Sequence, residues 1–197
     1  MNANPFANAG HLIRYLIGVD DARTQTTRAE TALLSRLAPG RSAIVELGVF
    51  EGASSLVLRK AMDTNAELYC VDPFPRGRLL FSPQMAISKR EIRKSHKGRV
   101  SLLRQNSAQA AASWTKPIDL LFMDGDHGFE GACRDFKEWT RFIRQGGLIA
   151  IHTSRSSPTK PVPDGCGMVR LVKEVVANDP GFRIDSQVDS ITVVVKL

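Results

Sequence analysis

Short apolar runs alternate with longer amphipathic stretches along most of this chain, which restricts it to an α/β fold built on a parallel sheet. Residues 42–47 (SAIVEL), 67–71 (ELYCV), 100–104, 118–123 (IDLLFM) and 148–151 read as buried strands. Helical spacing falls between and after them, over 54–62 with a serine at its N-cap, 83–97, 107–114, 129–143 and 168–177. In the 129–143 segment Phe129, Ala132, Cys133, Phe136, Thr140 and Ile143 recur three or four apart, and Gly146-Gly147 is expected to stop the helix. Two further strands, 182–188 and 190–196, are separated only by Asp189, so they should form a hairpin that ends the sheet antiparallel. Helices over 11–18 and 26–37 precede the first strand. The 197 residues thus read as one domain, a helical extension over 1–40 and a Rossmann-like core over 41–197. The proline-bearing stretch 153–167 follows the fifth strand, where such a sheet places its ligand, and reads as a substrate-facing lid.

The first strand runs into Glu46-Leu47-Gly48-Val49-Phe50-Glu51-Gly52-Ala53-Ser54-Ser55. Two glycines four apart, between a buried strand and a helix, allow a tight turn that presents backbone N–H groups to a ligand. A dinucleotide fingerprint needs a second glycine where this chain has Phe50, so pyrophosphate is kept away and a nucleoside without phosphates fits better. Asp72 ends the second strand, 24 residues after Gly48, where a carboxylate can accept ribose hydroxyls. Nicotinamide-dependent chemistry is excluded on the same ground.

Composition narrows the class further. Hydrophobic residues at 43% and charged residues at 24% are those of a globular protein. No apolar run reaches the roughly 18 residues that span a bilayer, and the first ten residues do not resemble a secretory signal. With three cysteines (Cys70, Cys133, Cys166) at no metal-type spacing, the expectation is a cytoplasmic protein with reduced thiols and no membrane partner. The net charge of +7 is concentrated over 76–104, where nine basic residues face Glu91 alone. That segment either attracts an anionic partner or is a solvated helix face.

E-L-G-V-F-E-G-A-S-S resembles the first motif of class I S-adenosylmethionine-dependent methyltransferases, and Y-C-V-D-P resembles their second. D-L-L-F-M-D-G-D-H-G-F-E-G-A-C-R-D-F-K-E-W, followed by G-G-L-I-A-I-H-T, is similar to the macrocin O-methyltransferase-like and cephalosporin hydroxylase-like branch, whose members are often small and bacterial. The resemblance implies a doubly wound seven-stranded sheet of order 3-2-1-4-5-7-6 with strand 7 antiparallel. It also implies that Glu46, Gly48, Phe50, Gly52 and Ser54 surround the methionine part of S-adenosylmethionine, that Asp72 holds the ribose, and that Asn106 and Ser107 lie beside the adenine. By its position two residues after Asp72, Phe74 is a candidate to shield the ribose.

Methyl transfer needs the acceptor in line with the S–CH₃ bond, and a hydroxyl acceptor must also lose its proton. The fourth strand delivers Asp124, Asp126 and His127 to the carboxyl edge of the sheet, and the fifth delivers His152. His127 or His152 can act as general base with Asp124 orienting it. Catechol-type relatives instead hold Mg²⁺ through an acidic residue at the position of Asp124 and a carboxylate or amide pair after the fifth strand. Here His152-Thr153 lacks that hard oxygen ligand, which counts against Mg²⁺. In a third reading none of these residues moves a proton, and Asp126 simply caps the 129–143 helix. Trp114 and Trp139 read as core, while His11 and Tyr15 either cover an acceptor pocket, face solvent or pack in a homo-oligomer. The expected acceptor is a hydroxyl of a small molecule. The alternatives are an RNA acceptor held by the 76–104 segment, or a cofactor-binding member without methyl transfer.

Overall fold

The computed structural model describes residues 5–75 and 81–197. Seven strands, β1 (Ala43–Leu47), β2 (Glu67–Val71), β3 (Arg99–Leu103), β4 (Ile118–Met123), β5 (Ile143–Ile151), β6 (Phe182–Val188) and β7 (Ile191–Lys196), form one sheet ordered β3-β2-β1-β4-β5-β7-β6. Strands β1 to β5 are mutually parallel and β7 runs antiparallel to both its neighbours, as the resemblance implies. Every residue of β1 is buried, because helices cover both faces of a parallel sheet. Alternate side chains therefore enter two cores. Val45, Leu47, Leu121 and Met123 meet Phe136, Trp139, Met168 and Leu171 on one face, while Ile44, Leu68, Leu120 and Phe122 meet Leu33, Leu34, Leu58 and Met62 on the other.

The first face is covered by α5 (Ser107–Ala112), α6 (Phe129–Thr140) and α7 (Gly167–Arg170), which continues as a π-turn over Leu171–Val175 and a 3₁₀ turn over Val176–Asn178. On the second lie α2 (Arg28–Leu37), α3 (Ala53–Ala61) and α4 (Pro83–Ile92). Helix α1 (Pro5–Leu16) packs on α4, where the Tyr15 hydroxyl donates to Glu91 at 2.6 Å. His11 is likewise buried, with its ring nitrogens 3.0 Å from Asp20 and from Glu51. Both are buried among the described residues, and neither stands on the wall of the cavity at the carboxyl edge of the sheet.

Two local expectations are corrected. Gly146-Gly147 does not stop α6, which ends at Thr140; the pair sits in an irregular stretch of β5 between the partners Ile118↔Ile143 and Leu120↔Leu148, with Gly146 at φ 73°. Helix α3 has no serine cap. It starts from Gly52 at φ 83°, and Ser54 and Ser55 lie within its first turn. Their hydroxyls donate to the two oxygens of Glu46, a carboxylate with no solvent exposure beneath the β1–α3 turn. Burial pushes the Glu46 carboxyl up, the serine hydroxyls pull it back, and the charges of Asp124 and Asp72 push it up again, to about 7.

Gly48, at φ 85°, ends β1 where a side chain has no room: a Cβ there would lie 2.1 Å from the carbonyl oxygen of Asp124. Gly48→Ala is expected to cost about 3 kcal/mol from left-handed strain and overlap together, lowering the melting temperature by roughly 10 °C. Glu46 makes a pH prediction of definite sign. The folded chain keeps this proton up to about pH 7, whereas the unfolded chain releases it near 4.5, so the stabilisation is complete below 4.5 and lost as pH rises through 7. Non-titrating Glu46→Gln should gain about 3 kcal/mol on the wild type between those limits. Parallel melting curves from pH 4 to 8 would refute it.

Candidate active site

Four residues follow the last ladder positions of four strands, and the backbone fixes their alignment. Asp72 N–H donates to Leu103 O, Gly48 N–H to Val71 O, Asp124 N–H to Leu47 O and His152 N–H to Met123 O, at 2.8–3.1 Å. Asp72, Gly48, Asp124 and His152 thus stand in a row along the carboxyl edge, where an open parallel sheet places its ligand. A cavity of about 600 Å³ opens over three of them, within the range of small-molecule sites. Its walls are the Leu47–Phe50 turn, the segment from Val71 to Pro75, Asn106 to Ala108, and Asp124 to His127.

Asp72 first serves the fold: Oδ2 accepts Val49 N–H and Phe50 N–H at 3.0 Å each, and Oδ1 accepts Phe74 N–H at 2.6 Å. A carboxylate offers about four acceptor positions, so one remains for a ligand in the cavity that Asp72 lines. Phe50, at φ 51°, and Ser54 also face the cavity. Asn106 caps α5 by accepting Gln109 N–H at 2.8 Å, and Ser107 accepts Trp139 Nε1–H at 2.7 Å; both line the cavity wall. Glu46 and Gly52 do not. Glu46 acts from behind through Ser54 and Ser55, and Gly52 lets α3 pack on α4, since a Cβ there would lie 3.0 Å from Ser88 Cα. Phe74 turns away into the core with no exposure.

Asp124, Asp126, His127 and His152 converge, but with different access. Asp124 Oδ1 lies 2.6 Å from His152 Nδ1 and 3.4 Å from His127 Nε2. Burial works against the charge on Asp124, yet the two histidines outweigh it and hold the carboxyl below its usual range. His127 is 40% exposed and lines the cavity, whereas His152 is wholly buried. Asp126 does not cap α6 at its N-cap; it accepts Gly128 N–H at 2.8 Å and lies against Gly131, where a Cβ would come 2.0 Å from Oδ2.

Mg²⁺ fits this donor set poorly. Asp124 is already engaged by two imidazoles, His152 Nε2 faces the Lys160 ammonium at 2.5 Å, and Thr153 supplies a hydroxyl in place of a carboxylate. Among the described residues no three His, Cys, Asp or Glu side chains cluster to hold a metal.

Sequence reasoning missed part of the wall. Arg23, Thr24, Gln25 and Thr26, between α1 and α2, face the cavity, as do Gln84, Arg134 and Asp135. No periodic pattern marks 23–25, and Thr26, read as the start of a helix, precedes α2; the position of this stretch follows from Glu51, which accepts Arg23 N–H at 2.6 Å. The basic segment is also clearer. Arg76 and Arg78 lie outside the described residues. Of the rest, Lys94 pairs with Glu91 and Arg99 with Glu67 at the start of β2, the sheet edge opposite the cavity.

A family profile described as a methyltransferase domain matches residues 45–154. The fold is similar to that of the O-methyltransferase TomG from Streptomyces achromogenes, involved in tomaymycin synthesis and solved with S-adenosylmethionine (TM-score 0.66, 16% identity, 100% of this chain and 91% of that one). It is also similar to an O-methyltransferase from Bacillus cereus in complex with S-adenosylhomocysteine (TM-score 0.64, 15% identity, 96% and 91%). A methyltransferase from Geobacter sulfurreducens gives a TM-score of 0.62 at 15% identity, over 100% and 90% of the two chains. The glycine turn of β1 and the carboxylates ending β2 and β4 lie within the matched span, and the chain belongs to the methyltransferase domain family.

Proposed function

We propose that the chain binds S-adenosylmethionine in this cavity and methylates a hydroxyl of a small molecule, with His127 as the base. One observation carries the reading: Asp72, Gly48 and Asp124 end adjacent strands around one cavity, and a half-exposed imidazole stands on its rim. The residues fit the cofactor. Leu47, Val49, Val71, Pro73 and Ala108 offer apolar surface, Asp72 keeps an acceptor position, and Phe50 replaces the glycine a pyrophosphate would need. Bound there, S-adenosylmethionine supplies an electrophilic methyl group.

The chain's own work is to align the acceptor and take its proton. His127 Nε2 faces Asp124, so a proton on Nε2 is directed to that carboxylate and Nδ1 is free to accept the hydroxyl proton. His152 is too deeply buried to meet an acceptor and holds Asp124 in place instead. Lys97 and Arg99 of the basic segment lie away from the cavity, Lys97 O accepting from Arg59 at the end of α3 at 2.9 Å and Arg99 pairing with Glu67, and do not favour RNA. Arg23 and Arg134, by contrast, stand at the cavity, and Arg104 donates to Phe74 O at 2.6 Å beside it.

Calorimetry should find micromolar binding of S-adenosylmethionine, unaffected by Mg²⁺, and Asp72→Asn should weaken it roughly 10- to 100-fold through loss of a charged acceptor. No binding by the wild type would reject the reading. His127→Ala should lower kcat on a hydroxyl acceptor by roughly 10²- to 10⁴-fold while the cofactor Kd stays within twofold. An unchanged kcat would remove His127 from the chemistry, and binding without turnover on any hydroxyl acceptor would favour the non-transferring alternative.

A further inference from the structure

The Asp124–His152 pair does not end at His152. On the far side of the ring, Nε2 lies 2.5 Å from Lys160 Nζ and 3.4 Å from Glu30 Oε2, and Lys160 Nζ is 3.2 Å from the same Glu30 oxygen. Glu30 comes from α2, in the segment before the sheet, and Lys160 from the proline-bearing stretch after β5. Glu30 and His152 have no exposure and Lys160 is 20% exposed, so water does little to screen these charges.

An ammonium 2.5 Å away makes Nε2 the accepting nitrogen, which places the ring proton on Nδ1, directed at Asp124. Glu30 keeps the ammonium there. Its Oε2 also accepts Thr27 N–H at 2.8 Å, and its Oε1 accepts Ser190 N–H at 2.8 Å and Ser190 Oγ–H at 2.6 Å. Burial opposes the charge on Glu30, but the Thr27 and Ser190 donors and the Lys160 ammonium 3.2 Å away hold it ionised. Lys160 Nζ also donates to Gln25 O at 2.5 Å, within the 23–26 wall of the cavity.

We infer that Glu30 and Lys160 are positioning residues of the site, fixing through His152 the tautomer and direction of the bond that holds Asp124 against the cavity. The motif-bearing core supplies Asp124 and His152; the two flanking segments supply the pair that orients them. The binding arm of the test rests on the proposed cofactor, and the spectroscopic arm does not.

In ring-nitrogen NMR of the full chain, His152 should show a single Nδ1-protonated tautomer. Glu30→Gln and Lys160→Met should each convert it to a mixture or to the Nε2-protonated form. Lys160→Met leaves the Thr27 and Ser190 bonds of Glu30 intact, so it separates the orienting role from loss of packing. For S-adenosylmethionine, Glu30→Gln should raise Kd roughly 3- to 30-fold, and adding it to Asp124→Asn should raise Kd no further, because the two residues act through one path. Unchanged His152 resonances in both single variants, or additive effects in the double variant, would overturn the inference. A wild type that fails to bind S-adenosylmethionine rejects the proposed cofactor, and the tautomer result still decides the relay.

Discussion

The site depends on the contact between the ends of β1 and β4. Gly48 and Asp124 follow these strands in register, and the absence of a side chain at Gly48 lets the Asp124 carbonyl sit against its Cα. That closeness brings the Asp124 carboxylate beside the turn whose N–H groups are held by Asp72. A wider separation would put the two carboxylates in different pockets. The buried Glu46 carboxylate beneath the turn fastens the start of α3, so the wall is supported from behind by a polar group that does not line the cavity.

Much of this was legible in the sequence because period and punctuation are local. Strand positions came from apolar runs, and the range of β2 and of β4 matches the reading to the residue. The glycines were located correctly but with the wrong physical reason in part: Gly52 answers to helix packing and Gly48 to a neighbouring strand, neither of which a single segment reveals. Ser54 looked like a cap because it precedes a helical pattern, but a buried carboxylate eight residues back claims its hydroxyl. Resemblance could place Asp124 and His152 at the same edge. It could not say that one imidazole would be exposed and the other enclosed, since that depends on Glu30 and Lys160, distant in sequence and part of no motif.

The segment before the sheet is also more than an appendage. Helix α2 brings Leu33 and Leu34 into the second core, and the stretch from Arg23 to Thr26 closes one side of the cavity. Glu51 links the two parts, taking Arg23 N–H and the His11 ring from within the glycine turn itself. The glycine turn and the 23–26 wall thus share one carboxylate.

Strand order has a consequence for how the site comes into being. The hairpin turn after β6 supplies Ser190, which binds Glu30 across 160 residues of sequence, and β7 enters the sheet between β5 and β6. Long-range pairing of this kind slows folding, so β1 to β5 can assemble on a growing chain while the enclosure of His152 waits for the final hairpin. Maturation of the pocket is thereby tied to completion of the sheet.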